Sequence, residues 1–225
     1  MNEYSYIPQP ARHQGVHIQQ RHFFLSADLG QANDYTAISI IERIVSGPGA
    51  LGPDRNGIRY LHLRHIERPA RGTPYPQIVE RLKDLYHNEA LRGVPKSVVI
   101  DLTGLGRPVY DLMRERGFRL SLSAVSITGG LEVTGHGSIF NVPKRNLITG
   151  LQVLLQNSEL RIARGLKEAP ALIEELTNFQ THISETGRDT YGGRSGVHDD
   201  LVLSVAIGCW LACRRSCRWG SDEAM

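Results

Sequence analysis

The chain has 225 residues, of which 40% are hydrophobic and 22% are charged, a composition typical of a globular protein with a buried core. Its formal net charge of +3 permits a nucleic-acid partner but does not demonstrate one. The sequence argues against a secretion signal and a membrane partner, because residues 1–22 lack an apolar segment and the longest apolar stretch, 201–213, is too short to cross a bilayer.

The first part of the chain predicts an arm followed by three strands. Residues 1–21 are polar and contain two prolines, as mobile arms do, which leaves 22–225 as one domain. Strands are predicted from three apolar runs: 23–27, 36–45 and 58–66. The glycine-rich link 46–57 suits a hairpin, so the three strands are predicted to form an antiparallel meander.

The apolar spacing becomes helical from residue 76, where Ile78, Val79, Leu82 and Leu85 recur. Strands at 97–101 and 120–127 then alternate with a helix at 109–116. Farther on, glycine-rich loops are predicted at 128–141 and 187–196, and helices at 143–156, 169–181 and 198–213. This order predicts an α/β protein with a mixed β-sheet flanked by α-helices.

Two apolar strands each end in an aspartate, Asp28 and Asp101. If the two strands are parallel neighbours, about 4.8 Å apart, the two carboxylates meet at the edge of the sheet where sites form. Close carboxylates repel unless a cation neutralises them, so this arrangement predicts a metal site. The alternative role of a strand-end aspartate is to form a turn.

A third acidic pair, Asp199 and Asp200, precedes the last apolar helix. Adjacent helical residues point about 100° apart, so one is expected to face the site while the other caps the helix. Three carboxylates from three elements would suit a two-metal nuclease site. An aspartate at a helix start is also, more simply, a capping residue.

Several stretches around these aspartates resemble the nuclease domain of phage terminase large subunits. They are SADLGQANDYTAISII, RGTPYPQIVERLKDL, VVIDLTGLGRPVYDLM, ITGG, NVPKRNLITGLQVLLQNSELRI, EELTNFQ and GVHDDLVLSVAIGCW. They follow the order of the family and extend over about residues 23–210. The resemblance implies a ribonuclease H-like fold and a two-metal-ion endonuclease that cuts concatemeric, double-stranded phage DNA during packaging.

By position, the resemblance implies that the catalytic, metal-binding acids are Asp28, Asp101 and one of Asp199 or Asp200, slightly favouring Asp199. The implied cofactors are two Mg²⁺ or Mn²⁺ ions.

Two supporting residues also match the family by position. His198 matches a family histidine, although a helix-start residue that bonds the backbone is an equal alternative. Lys144 matches a family lysine and would contact a phosphate or the scissile region. Its alternative is a solvated lysine, but a helix start is an unfavourable place for a cation, which favours a functional role.

The sequence departs from full-length terminases because it contains no G-x-x-x-x-G-K-[ST] phosphate loop. ATP-driven translocation is therefore not expected of this chain. The expected partners are a separate packaging ATPase, the small terminase subunit or the portal, and the expected location is the cytoplasm of a bacterial host that carries a phage or prophage.

Other residues are candidates of lower rank. Arg188 and Arg194 lie in a glycine-rich loop that would flank the DNA and contact phosphates. Cys209, Cys213 and Cys217 are spaced along one side of a helix, which is not a zinc-site pattern and favours buried apolar residues. Three clustered cysteines also do not form a disulfide framework, which agrees with a reducing compartment.

Four other functions remain open from the sequence. A Holliday-junction resolvase-like enzyme, a transposase or another nuclease of the ribonuclease H fold would keep the acids and change the DNA shape. An actin-like or sugar-kinase protein would need two such domains. A non-catalytic, DNA-binding prophage remnant and an oligomeric structural module are the two alternatives without chemistry.

Overall fold

The computed structural model describes residues 18–30, 34–46, 58–104, 107–183, 189–192 and 198–214. The strands within these residues are β1 (Ile18–Asp28), β2 (Ala37–Ser46), β3 (Ile58–Glu67), β4 (Lys96–Asp101), β5 (Leu122–Thr128), β6 (Thr134–His136), β7 (Ile139–Pro143), β8 (Leu160–Ile162), β9 (Gln180–Ile183) and β10 (Asp189–Gly192). The α-helices are α1 (Tyr75–Tyr86), α2 (Arg107–Met113), α3 (Lys144–Gln156), α4 (Ala169–Asn178) and α5 (Asp200–Arg214). None of these helices is long and apolar enough to cross a membrane.

Eight strands form one mixed sheet in the order β6-β7-β5-β4-β1-β2-β3-β8, and β9 pairs with β10 separately. The predicted antiparallel meander is confirmed, because β1 pairs with β2 and β2 with β3 in antiparallel fashion. Parallel pairs join β1 to β4, β4 to β5, β5 to β7 and β3 to β8. The α/β class and the mixed sheet flanked by helices are therefore confirmed.

The sheet carries a separate apolar core on each face, because successive strand residues point to opposite sides. Phe24 and Val99 pack towards α3, α4 and α5. Leu25 and Ile100 pack towards α1 and α2 on the other face. The continuous apolar runs of β1 and β4 thus belong to strands buried on both faces, as parallel strands in a two-sided sheet usually are.

Helix α5 is buried nearly all round, as its uninterrupted apolar sequence predicts. It packs directly on β1 and β2 and is flanked by α3 and α4. Gly208 permits the close approach, because a Cβ at this position would lie 2.5 Å from Ser26 Oγ and 3.1 Å from Ile41 Cγ1. The start of α5 is thereby held over the central strands.

Two predicted glycine-rich loops contain strands, and the loop assignments were wrong there. The segment 128–141 includes β6 and most of β7, which form a hairpin. Gly135 has φ +146°, and a Cβ there would lie 2.4 Å from the carbonyl oxygen of Ile139, so this glycine marks close strand packing rather than a loop. The predicted loop 187–196 contains β10, which pairs with β9.

The helix predicted at 169–181 is also too long, since α4 ends at Asn178. Phe179 adopts an extended conformation, and the chain enters β9, where pairing with β10 prevails over the helical spacing. Strand β8 was not predicted, because three residues are too few to show a period of two.

Strand β1 starts at Ile18, so residues 18–21 of the predicted arm belong to the sheet. Arg21 pairs there with Ile44 of β2, and its guanidinium is ion-paired with Glu42. The polar residues of this segment lack the apolar alternation from which strands are predicted, and it is the pairing with β2 that places them in the sheet. Residues 1–17 lie outside the described part of the chain, and the division into arm and domain stays a prediction.

Candidate active site

The topology brings several strand ends to one edge of the sheet. Strands β1, β3, β4, β5 and β7 run in the same direction, so their carboxyl ends lie side by side along this edge. Strands β1 and β4 are parallel neighbours with Ala27 opposite Ile100, and the next residue on each is an aspartate. Asp28 and Asp101 therefore end adjacent strands, as the site prediction required.

Both aspartates also point to the same face of the sheet. Asp28 shares the orientation of Phe24 and Ser26, which face α5, and Asp101 shares that of Val99. The first residues of α5 lie over this face. The two strand-end carboxylates and the acidic start of the helix thus approach one another from three elements.

The electrostatics of Asp28 show this convergence. Burial raises the pKa of Asp28 well above its usual value, and the charges of Asp101, Asp199 and Asp200 raise it further. Lys144 acts in the opposite direction and lowers the pKa of Asp28. Three other carboxylates are thus close enough to destabilise the charge on Asp28, which a divalent cation would relieve.

Asp101 is held in place by the residues that follow its strand. The backbone amide and the hydroxyl of Thr103 donate hydrogen bonds to Asp101 Oδ1 at 2.8 and 2.5 Å. Thr103 Oγ1 in turn accepts a hydrogen bond from the amide of Ile127 on β5, at 2.8 Å. Burial raises the pKa of Asp101, whereas the bonds from Thr103 lower it. The carboxylate is therefore oriented by a short link between β4 and β5.

Asp199 is paired with a lysine that follows another strand of the same edge. Lys144 Nζ donates to Asp199 Oδ2 at 2.7 Å, and Lys144 comes directly after β7. The carbonyl of Asp199 accepts from the amide of Leu203 at 2.9 Å, so the residue immediately precedes the first turn of α5. The structure thus places Lys144 beside the acids with Asp199 as its partner, and its contact with a phosphate stays a prediction.

Asp200 is buried and is held by Arg68, the residue after β3. Arg68 Nε donates to Asp200 Oδ2 at 2.7 Å, and a terminal nitrogen of Arg68 donates to Oδ1 at 3.1 Å. The same guanidinium also bonds Glu175 of α4. Both oxygens of Asp200 are therefore engaged by one arginine.

Glu175 is a fifth acid beside the four aspartates, and neither it nor Arg68 was identified from the sequence. Burial and the nearby charge of Asp200 raise the pKa of Glu175 to about 7, against the amide of Val202 and the charge of Arg68, which lower it. Glu175 lies in the stretch EELTNFQ, which was itself a signal. Arg68 directly follows β3, which runs parallel to β1. Its position at the site could be predicted from the sequence only if the direction of β3 were already known.

His198 lies at the same edge with an exposed side chain. Its ring contacts the ring of Tyr35 edge-on, with centroids 4.9 Å apart. Arg188 and Arg194 lie outside the described residues, as does Cys217. Cys209 and Cys213 line an apolar cavity of about 300 Å³ between α3 and α5, together with Leu147, Leu151 and Trp210.

The donor set fits a hard divalent cation, because carboxylate oxygens are the ligands that Mg²⁺ and Mn²⁺ prefer. In the described part of the chain, however, no three His, Cys, Asp or Glu side chains lie close enough together to hold one ion. In this arrangement, Asp199 is ion-paired with Lys144 and Asp200 with Arg68.

Comparison with known proteins identifies the family of this fold. Residues 25–206 match the family described as the terminase RNaseH-like domain. The large terminase nuclease from thermophilic phage G20c with bound magnesium is similar, at 19% identity and a TM-score of 0.58, over 89% of each chain. The large terminase nuclease domain of Thermus phage P74-26 is also similar, at 19% identity and a TM-score of 0.55, over 84% of this chain and 78% of that one.

A further structure of the G20c nuclease contains bound cobalt and has the same identity and TM-score as the magnesium form. No curated protein matches the chain. At these identities the solved structures show a shared fold, and the family match extends over most of the chain. The chain belongs to the family of terminase RNaseH-like domains.

Proposed function

We propose that this protein is a divalent-metal-dependent DNA endonuclease that hydrolyses phosphodiester bonds at the carboxyl edge of its sheet. The observation that carries the proposal is the pair Asp28 and Asp101, which end adjacent parallel strands on the face covered by α5. Asp199 and Asp200 approach this pair closely enough to raise the pKa of Asp28. The similarity to phage large terminase nucleases supports the reaction and the substrate class.

Asp28, Asp101 and Asp199 would hold the metal, which we take to be two Mg²⁺ or Mn²⁺ ions. When bound, such ions lower the pKa of a water molecule and neutralise the charge that develops on the phosphate oxygens. One nuclease of this fold was solved with magnesium and with cobalt, which supports a divalent metal.

Asp199 suits the ligand role better than Asp200. Both oxygens of Asp200 accept hydrogen bonds from Arg68, and its side chain is 9% exposed. Asp199 has a lysine as its partner and is 28% exposed, so it can exchange that partner at a smaller penalty. Asp200 would then act as a positioning residue that fixes the start of α5 to β3 and α4.

Lys144 would stabilise the site without binding metal. Its charge lowers the pKa of both Asp28 and Asp101, so it reduces the repulsion among the acids. A lysine ammonium at this place is also a suitable contact for a substrate phosphate. His198, exposed at the same edge, is a second candidate for contact with the DNA.

The proposed substrate is double-stranded DNA with little sequence preference, because nothing in the sequence indicates a module that reads bases. A packaging ATPase, the small terminase subunit and the portal remain predicted partners. A bacterial host cytoplasm remains the predicted location.

A plasmid-nicking assay tests the proposal. Wild-type protein should nick supercoiled DNA with Mg²⁺ or Mn²⁺ and should fail to do so with EDTA. Asp28→Asn, Asp101→Asn and Asp199→Asn should each lose at least about 100-fold in rate, since each removes a negative ligand. Asp84→Asn, an exposed acid on α1, is the matched control and should cut normally.

Normal cleavage by Asp28→Asn or Asp101→Asn would refute the proposed site. Cleavage that persists in EDTA would refute the metal dependence. The ligand assignment at the helix start is tested by Asp200→Asn, which should keep more activity than Asp199→Asn. The reverse order would mean that Asp200, rather than Asp199, is the ligand.

A further inference from the structure

A surface cluster beside the acids contains two residues, Tyr35 and Arg71, to which the proposed function assigns no role. The ring of Tyr35 is contacted by three side chains from two other segments. The guanidinium carbon of Arg71 lies 4.3 Å from the ring centroid, and that of Arg68 lies 5.3 Å from it. The ring of His198 meets Tyr35 edge-on, with centroids 4.9 Å apart. We call these four residues the Tyr35 cluster.

The two arginines of the Tyr35 cluster differ in how their charge is used. Arg68 is 18% exposed, and its guanidinium bonds both Asp200 and Glu175. Arg71 is exposed, and no carboxylate of the described residues lies within ion-pair distance of it. Within the described residues, the charge of Arg71 is therefore available to an anion from solution.

The backbone around Arg71 is ordered by a tight turn between β3 and α1. The amide and the hydroxyl of Thr73 donate to the carbonyl of Ala70 at 3.1 and 2.6 Å. Gly72 has φ +77°, the left-handed conformation that glycine adopts without strain. Stacking on Tyr35 further restricts the long side chain of Arg71, so less conformational entropy is lost when it binds a ligand.

Tyr35 is itself positioned by the loop that follows the catalytic strand. Gly30, two residues after Asp28, donates its amide hydrogen to Thr36 Oγ1 at 3.1 Å. A Cβ at Gly30 would lie 2.4 Å from the carbonyl oxygen of Tyr35, so only glycine permits this closure. The Tyr35 cluster is thus attached to the segments that carry Asp28 and Asp199.

We propose that Arg71, held over the ring of Tyr35, binds a backbone phosphate of the DNA next to the cleaved bond. A guanidinium offers a planar fork that matches a phosphate with two hydrogen bonds. Arg71 covers one face of Tyr35 and His198 contacts its edge, so phosphate contact suits the cluster better than stacking of a base. This inference rests on the proposed function, which places the cleaved bond at the acids, but it concerns the binding of DNA rather than its cleavage.

The test is DNA binding in EDTA, where cleavage is absent, measured by fluorescence anisotropy with a labelled duplex between 50 and 200 mM salt. Arg71→Gln should weaken binding by about 3- to 10-fold for any duplex sequence, and the slope of log affinity against log salt should fall by about 1. Arg71→Lys should keep the salt slope and recover part of the affinity. Tyr35→Leu should weaken binding by less than Arg71→Gln, because the charge remains.

Arg119→Gln is the matched control. Arg119 is an exposed arginine that precedes β5, at the opposite edge of the sheet, and its replacement should leave affinity and salt slope unchanged. In the cleavage assay with metal, Arg71→Gln should raise KM and leave kcat close to the wild-type value, because the contact is made equally in the ground state and the transition state.

Equal affinity and equal salt slope in the Arg71→Gln and Arg119→Gln variants would overturn the inference, as would absence of measurable DNA binding by the wild type. The two proposals fail separately. A wild type that binds DNA through Arg71 and does not cut would refute only the proposed function. A wild type that cuts, with an Arg71→Gln variant of normal KM and affinity, would refute only the phosphate contact.

Discussion

The environment of Asp28 disfavours its negative charge when no cation is present. It ends β1 directly after the buried residues 23–27, is itself half-buried, and has three other carboxylates within electrostatic reach. Such a carboxylate weakens the folded state, because burial and like charges both disfavour its ionised form. A residue that is retained only as a turn former would not have this environment.

Asp28→Asn is therefore expected to stabilise the protein in EDTA at neutral pH. Removing one repelling charge should raise the free energy of unfolding by about 1–2 kcal/mol. For a domain of this size, Tm should rise by roughly 2–4 °C for each kcal/mol of added stability. Thermal melts of the wild type and the variant in EDTA measure the effect, with Asp84→Asn as the control. A lower Tm for Asp28→Asn would show that the carboxylate is stabilising where it lies.

At the scale of elements, α5 and its contact with β1 determine where the acids meet. The helix is apolar nearly all round, so its burial follows from its sequence, but its distance from the sheet depends on one glycine. Gly208 leaves room for Ser26, whose hydroxyl is 2.7 Å from Ser39 Oγ on β2. A side chain at this position would push the helix away from β1 or force the two serines to move.

Gly208→Ala is expected to destabilise the protein by about 1–3 kcal/mol, because the new methyl group overlaps Ser26 in a close-packed layer. The measurement is chemical denaturation of the variant, the wild type and the pair with Ser26→Gly. In the Ser26→Gly background the effect of Gly208→Ala should shrink, because the overlapping hydroxyl is gone. An equal effect in both backgrounds would mean that the Ser26 contact does not limit the helix position.

At the scale of the whole molecule, the candidate site joins elements that are far apart in the sequence. Asp28, Asp101 and Asp199 come from β1, β4 and the start of α5, and Arg68 and Lys144 hold the acids from the ends of β3 and β7. The site therefore exists only when the sheet order and the position of α5 are both correct. Anything that binds these acids together binds the folded state and not the unfolded one.

Mn²⁺ or Mg²⁺ should accordingly stabilise the whole fold. At a hundredfold excess over Kd, binding to the folded state contributes about 2.7 kcal/mol, which corresponds to several degrees in Tm. Thermal melts with millimolar Mn²⁺ and with EDTA measure this shift, which should be much smaller in Asp28→Asn. Equal metal shifts in the wild type and in Asp28→Asn would show that Asp28 is not a ligand.

The sequence by itself determined the long apolar elements and the orientation of the two strand-end acids. The apolar runs that end at Asp28 and Asp101 predicted buried strands, and a period of two then places each acid on a known face relative to its neighbours. The continuous apolar sequence of α5 predicted a buried helix with Asp199 and Asp200 at its start. These features are local, because a few consecutive side chains decide them.

Only the tertiary structure decided which side chains surround the acids. Arg68 bonds Asp200 across 132 positions and Glu175 across 107, and Arg71 reaches Tyr35 from a turn after another strand. Strands β6, β7 and β8 were likewise missed, because their partners rather than their own short sequences hold them in the sheet. Such contacts depend on sheet order and strand direction, which are set when both apolar faces of the sheet are buried together. The local spacing of apolar residues does not encode that order.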